Sequence, residues 1–195
     1  MKKLLITCLL STAFGFAQDK EPETKPENPM LAKKNEVRVD LLSPFAFGKG
    51  VVSYERFLGE DWSVGLSGSF AFGKKLEEDF DEGYSSTLSD VEIIPYVRYR
   101  LSKSPANFYF IEAFASANSG KFREILREDN GTSGYYSIAE DDYFDVALGG
   151  SVGYKMYFKE RVALEFLVGA GYNLFNTDKS PDVITRVGIN LGYRF

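Results

Sequence analysis

The 195-residue chain contains no histidine, and its one cysteine, Cys8, falls within the first ten residues. The first absence removes the Ser-His-acid triad, the usual imidazole general base and histidine-built metal sites. The second leaves everything after the leader without disulfide staples or a thiol nucleophile. Positive charge is also in short supply. Against 28 Asp and Glu there are 23 Lys and Arg, a formal net charge of −5, so the basic footprint of a nucleic-acid-binding surface is missing. Beyond the leader no apolar run approaches the ~18 residues that a membrane helix requires, and no glycine-rich loop leading into a helix offers a phosphate cradle.

What is present begins with an export signal. Met1-Lys2-Lys3 is a short basic region and Leu4 to Phe16 an apolar one, with Gly15 and Ala17 as small residues at −3 and −1 of a cut after Ala17. Cys8 sits inside the apolar region with too few residues before it to be a lipidation site. Residues 1–17 are therefore a signal peptide. Residues 18–34 carry Pro22, Pro26 and Pro29 among many charges and almost no apolar side chains, the composition of a disordered periplasmic lead. Residues 35–195 are of a length for one domain.

That domain alternates. Val183, Thr185, Val187, Ile189, Leu191, Tyr193 and Phe195 share one face of the last segment, with Arg186, Gly188, Asn190, Gly192 and Arg194 between them, which is the period of a strand. Eight such segments fall at about 35–47, 50–58, 61–73, 90–101, 106–119, 143–158, 161–175 and 182–195. Short connections at Gly59-Glu60, Ser102 to Pro105 and Lys159-Glu160 contrast with long ones at 74–89 and 120–142. This is the pattern of an eight-stranded antiparallel up-and-down transmembrane β-barrel with tight periplasmic turns, longer outer loops and both termini in the periplasm. Such a barrel predicts aromatic girdles at the two membrane interfaces. Trp62, Tyr99, Phe158, Tyr193 and Phe195 fall at the periplasmic end, and Phe45, Phe47, Phe70, Phe72, Phe144 and Tyr172 at the outer end. Leu66, Ile93, Val97, Leu148, Val152 and Val168 lie between them on the outward parity.

The opposite parity collects charge: Arg38, Asp40, Glu55, Glu92, Arg98, Arg100, Glu112, Asp145, Lys155, Glu165, Arg186 and Arg194, six of each sign. An eight-stranded barrel is just wide enough for side chains to fill, and unpaired charge there is costly. A paired, hydrogen-bonded interior is expected, with inward glycines such as Gly65, Gly149 and Gly153 making room for long side chains. The alternative is that the same charges line a narrow pore for ions or small solutes. In the fifth segment, an inward Glu112 also places Phe108, Phe110 and Phe114 inside, which leaves its register open. A soluble lipocalin-like carrier ranks third, because its cavity would be apolar and its polar face outside.

With inward carboxylates accounted for by basic neighbours, no enzyme, cofactor or metal is expected. The long connections are acidic (Glu77, Glu78, Asp79, Asp81 and Glu82; Glu124, Glu128, Asp129, Glu140, Asp141 and Asp142) without calcium-loop spacing, which favours solvated loops over a cation site. Phe80, Tyr84, Phe122, Tyr135 and Tyr136 offer either a partner surface or packing of the loops on themselves. The expected surroundings are outer-membrane lipid and lipopolysaccharide, with the protein monomeric and no nucleic acid bound.

Asn35-Glu36-Val37, Val52-Ser53-Tyr54-Glu55-Arg56 and the terminal Gly192-Tyr193-Arg194-Phe195 resemble the small outer-membrane barrels of the DUF3575 type found in Bacteroidetes, related in architecture to the OmpA and OmpX barrels. The resemblance covers about residues 35–195. It implies an eight-stranded barrel of the Gram-negative envelope, inserted by the barrel-assembly machinery through a C-terminal aromatic signal, Phe195. It implies no catalytic residue. It differs from OmpA in carrying no peptidoglycan-binding domain after Phe195, so anchoring by that route is not expected.

Overall fold

The computed structural model describes residues 32–72, 80, 82, 86–102, 104–129 and 134–195. The leader and residues 18–31 lie outside them. Eight strands run β1 (Asn35–Asp40), β2 (Lys49–Phe57), β3 (Trp62–Ala71), β4 (Thr87–Arg100), β5 (Asn107–Asp129), β6 (Gly134–Phe158), β7 (Val162–Asn173) and β8 (Val183–Arg194), with one short helix, α1 (Ser43–Ala46), after β1. Each strand pairs antiparallel with its sequence neighbour, and β1 closes on β8 from Glu36 opposite Arg194 to Asp40 opposite Asn190. The closure ends in reciprocal backbone hydrogen bonds, Asn35 N to Phe195 O at 3.0 Å and Phe195 N to Asn35 O at 2.8 Å. The result is a closed, eight-stranded, all-antiparallel barrel.

Period-two patterning sets its two surfaces. Along β4, Glu92, Ile94, Tyr96 and Arg98 are buried in turn while Val91, Ile93, Val97 and Tyr99 between them are exposed. The turn between β6 and β7 holds Lys159 and Glu160 at φ 50° and 61°. Positive φ at both central residues suits a type I′ hairpin, whose twist matches the flanking strands.

Two segments differ from the expected boundaries. The first strand ends at Asp40, not 47, because the Asp40 carboxylate accepts from Leu42 N at 2.8 Å and Ser43 Oγ at 2.5 Å and turns the chain into α1, where Pro44 tolerates the loss of a donor. Phe45 therefore sits on α1, 91% exposed, with Phe47 just after it, and neither lies on a strand. The expected long loop 120–142 is mostly ladder. β5 and β6 pair without interruption from Asn107 opposite Met156 to Asp129 opposite Gly134. Cross-strand pairs of opposite charge, Lys121 with Asp142 and Arg123 with Glu140, sustain that ladder, the second as an ion pair of 2.6 Å. Among the described residues β5 and β6 outrun their neighbours, since β4 accompanies β5 only to Phe122, opposite Thr87, and β7 accompanies β6 only from Ala147 onward.

Most of the expected loop 74–89 lies outside the described residues. Phe80, considered as a surface aromatic, is 3% exposed beneath the Arg123 guanidinium, 4.4 Å from its ring. The side chains of Tyr84, Tyr135 and Tyr136 lie outside the described residues. Among the described residues no helix is long and apolar enough to cross a membrane.

Candidate functional site

The barrel lumen is the one place where chemistry-bearing side chains converge among the described residues, and its centre is ionic. Glu36 and Arg38 come from β1, Glu55 from β2, Arg98 from β4, Glu112 from β5, Lys155 from β6, Glu165 from β7 and Arg186 from β8. Lys155 Nζ lies 2.8 Å from Glu36, 2.8 Å from Glu55 and 2.9 Å from Glu165. Arg98 bridges Glu112 at 2.6 Å, Glu165 at 2.7 Å and Glu55 at 2.9 Å. Arg38 reaches Glu36 at 3.0 Å, contacts Glu55 and donates to Tyr96 OH at 2.5 Å. Arg186 Nη1 lies 3.1 Å from Glu112. The layer thus sets four carboxylates against four cations.

β3 supplies no charge to this layer but places Ser63, whose hydroxyl donates to Glu55 at 2.5 Å. Tyr157 on β6 donates to Glu36. Contributions from all eight strands mean that the layer is complete only when the barrel is closed.

Glu36, Glu55 and Glu165 place carboxylate oxygens within 4.8 Å of one another, a geometry able to hold a metal ion. The Lys155 ammonium occupies the position between them, so the chain itself supplies the positive charge. Chemically the layer is an electrostatic lock: every carboxylate is engaged by a fixed cation.

Rings cushion the cations. Arg98 lies 4.3 Å from the Phe110 ring, Arg100 5.6 Å from Phe108, Arg186 5.2 Å from Phe114 and Arg194 3.8 Å from Phe57. Phe108, Phe110 and Phe114 thus face inward together with Glu112, and the guanidinium stacking is the physical reason that phenylalanine is stable there. The inward glycines admit these rings as well as the charged side chains. A Cβ on Gly153 would meet Phe110, and one on Gly149 would meet Phe114.

Five of the inward charges stand outside the central layer. Asp40 caps the turn into α1 and also accepts from Ile189 N at 3.1 Å. Asp145 accepts from Val146 N, Phe175 N, Asn176 N and Ser180 Oγ at 2.6–3.0 Å, which pins the connection between β7 and β8. Glu92 accepts from Ser116 Oγ at 2.6 Å. Among the described residues Arg100 pairs with Asp61 alone, in the turn after β2 at 3.5 Å, and Arg194 donates to Lys33 O at 2.8 Å. For Asp40 and Asp145 the partners are backbone amides and hydroxyls in place of basic side chains, because each lies where a strand gives way to a turn full of free N–H groups. Glu36 is absent from the inward set read from the sequence, although it shares the parity of Arg38 and was legible at i−2.

Outside, the described aromatics gather at both rims. At the tight-turn end Trp62 and Tyr99 pack at 4.9 Å between ring centroids, with Phe158, Tyr193 and Phe195 exposed. Tyr109 and Tyr154, which the sequence reading did not single out, add a second pair at 4.7 Å. At the opposite end Phe70 and Phe72 lie 5.9 Å apart, with Phe144 and Tyr172 exposed.

Together these features define a class: a small closed β-barrel that is ionic within and apolar without. A family model matches residues 23–194, and the chain belongs to that family, DUF3575, described as a protein of unknown function. No curated protein matches it in sequence. Among solved structures it is similar to the N-terminal β-barrel domain of Pseudomonas aeruginosa OprF, with 15% identity, a TM-score of 0.50, 84% of this chain and 98% of that chain covered. It is also similar to Neisserial surface protein A, NspA, with 12% identity, a TM-score of 0.51, 83% of this chain and 95% of that chain covered. At such identities the likeness is one of fold.

Proposed function

We propose that the chain is a non-enzymatic outer-membrane β-barrel whose lumen is closed by paired charge, acting in envelope integrity or at the cell surface, with both termini periplasmic. The observation that carries this is inverted polarity. Arg38, Lys155 and Glu165 are 0–1% exposed, whereas Leu148, Val152 and Val168 are 54–57% exposed on the outer wall. In water this arrangement exposes apolar area on every strand and buries charge, both unfavourable. In a bilayer the apolar wall meets hydrocarbon and the aromatic rims meet the interfaces. The leader at 1–17 supports export, lipid and lipopolysaccharide are then the surroundings, and Phe195 is the signal for the assembly machinery.

The narrow-pore alternative has one observation in its favour, a cavity of about 410 Å3 in the α1 half of the lumen. Beyond the ionic layer the matching space is about 20 Å3, room for about one water, which supports closure. A lipocalin-like carrier would need the opposite polarity on both faces.

The test is gel mobility of the detergent-refolded protein with and without boiling, alongside recovery in outer-membrane fractions and recording in planar bilayers. A heat-dependent shift, membrane recovery and no unitary conductance are expected. An unshifted protein in the periplasm would overturn the membrane assignment, and regular conductance steps would replace the closed lumen with a pore.

A further inference from the structure

The α1 half of the lumen is not filled. Its cavity of about 410 Å3 rests on Arg186 and is walled by Ser53, Ser67, Ser69 and Asn190, with Lys49 toward the rim. A second chamber of about 190 Å3 shares Lys49, Glu92 and Thr185 with it and is bounded by Asn118 and Tyr143. Neither the ionic layer nor the outer wall uses this space.

A count of hydrogen-bonding capacity decides what would fit. The carboxylates that face the cavity are mostly engaged: Asp40 by Leu42 N, Ser43 Oγ and Ile189 N, Glu165 by Arg98, Lys155 and Asn190, and one oxygen of Glu92 by Ser116. The cations are less so. Arg186 has a side chain 10% exposed and, beyond the ion pair of its buried Nη1 with Glu112 at 3.1 Å, its guanidinium makes no hydrogen bond among the described residues. Lys49 makes no ion pair or hydrogen bond among the described residues, and Glu92 and Asp90 act on it only through longer-range attraction. Most of the unused capacity is thus charged N–H, on two residues that line one cavity. Charged donors bind charged acceptors more strongly than neutral ones. Hydroxyls of Ser67 and Ser69 stand beside them to take the remaining lone pairs.

We propose that this cavity is a binding site for a small organic carboxylate, held by Arg186 and Lys49. The site is closed at its floor by the ionic layer, so it binds its solute and does not pass it through the barrel. The proposal stands on the lumen geometry and does not depend on which membrane holds the barrel.

Succinate is the probe, added to the refolded full chain in detergent and followed by amide resonances of Ser67, Ser69, Arg186 and Asn190. Saturable shifts are expected with succinate and not with neutral succinamide or with sodium chloride at equal ionic strength. Lys49→Gln, which removes an unpaired rim charge, is expected to weaken binding by about tenfold or more. Ser69→Leu, which fills the cavity without removing a charge, is expected to abolish the shifts while heat-dependent gel mobility is retained. Shifts no larger than those from chloride would overturn the site and leave the cavity to water. Unchanged succinate affinity in Lys49→Gln, or binding that survives Ser69→Leu, would overturn it equally.

Discussion

Replacing Lys155 with methionine probes the ionic layer at its centre. Methionine keeps an unbranched stem of similar reach but removes the ammonium that lies 2.8–2.9 Å from Glu36, Glu55 and Glu165. Three fully buried carboxylates are then left to Arg38 and Arg98, and Arg98 is also shared with Glu112. On the tight-turn side water can relieve little of this, since the adjoining space of about 20 Å3 admits about one molecule, and on the α1 side Glu165 is the one of the three that lines the larger cavity. Removing one partner from a buried ion pair costs about 3–5 kcal/mol, and that is the loss expected here. Equilibrium urea unfolding from lipid vesicles, read by the fluorescence of Trp62, the only tryptophan, measures it. Added salt should leave the difference largely intact, because screening acts mainly on exposed charge. The double variant Glu36→Gln/Lys155→Met removes one anion with the cation and should recover about 1–3 kcal/mol relative to the sum of the single losses. A Lys155→Met protein within about 0.5 kcal/mol of the parent, the range of ordinary surface changes, would refute the placement of the ammonium among the carboxylates.

Two further perturbations test how the interior is packed and how the rim is held. A Cβ on Gly153 would lie 2.6 Å from Phe166 O and 2.7 Å from Phe110 Cε1, whereas one on Gly68 would meet nothing within 4 Å. Gly153→Ala should therefore cost about 1–3 kcal/mol in the same unfolding assay, and Gly68→Ala should be neutral or stabilising by about 0.4–1 kcal/mol. Asp145→Ala removes the acceptor of Phe175 N, Asn176 N and Ser180 Oγ. Hydrogen exchange should show faster exchange confined to the connection between β7 and β8, with the β1–β8 seam unchanged.

The barrel itself was legible because its signal repeats on every strand. Period two separates faces, and paired short and long connections separate ends, without any knowledge of which residues touch. Contacts demand more: parity assigns Asp145 and Lys155 to the same face of β6, but not their depth. Lys155 meets three glutamates while Asp145 meets the backbone of a turn. Depth follows from the register around the whole barrel, which no single strand carries. The extension of β5 and β6 was hidden for a related reason. Residues 120–142 are too charged to look like a buried strand, yet a solvated ladder needs only cross-strand complementarity, as Arg123 and Glu140 show. α1 was hidden because Ser43 to Phe47 continues an apolar alternation that Asp40 and Pro44 interrupt through the backbone.

The ionic layer has a consequence beyond stability. Buried ion pairs contribute little net stability compared with a well-packed apolar core, since desolvation offsets most of the attraction. A barrel apolar on both faces, however, would have little to choose between pairing registers: a one-residue slip exchanges the faces of a strand, and both would suit lipid. Here a slip of β7 by one residue would turn Glu165 out to the apolar wall and draw Leu164, Phe166 and Val168 inward, leaving Lys155 and Arg98 short of a partner. The same holds for β1, where Glu36 and Arg38 would exchange with Val37 and Val39. Charge drawn from seven strands thus favours the correct register over such one-residue slips, each of which leaves ions without a partner. In this chain the ionic layer specifies the barrel as much as it holds it, and in the function proposed above the same layer is what closes the lumen.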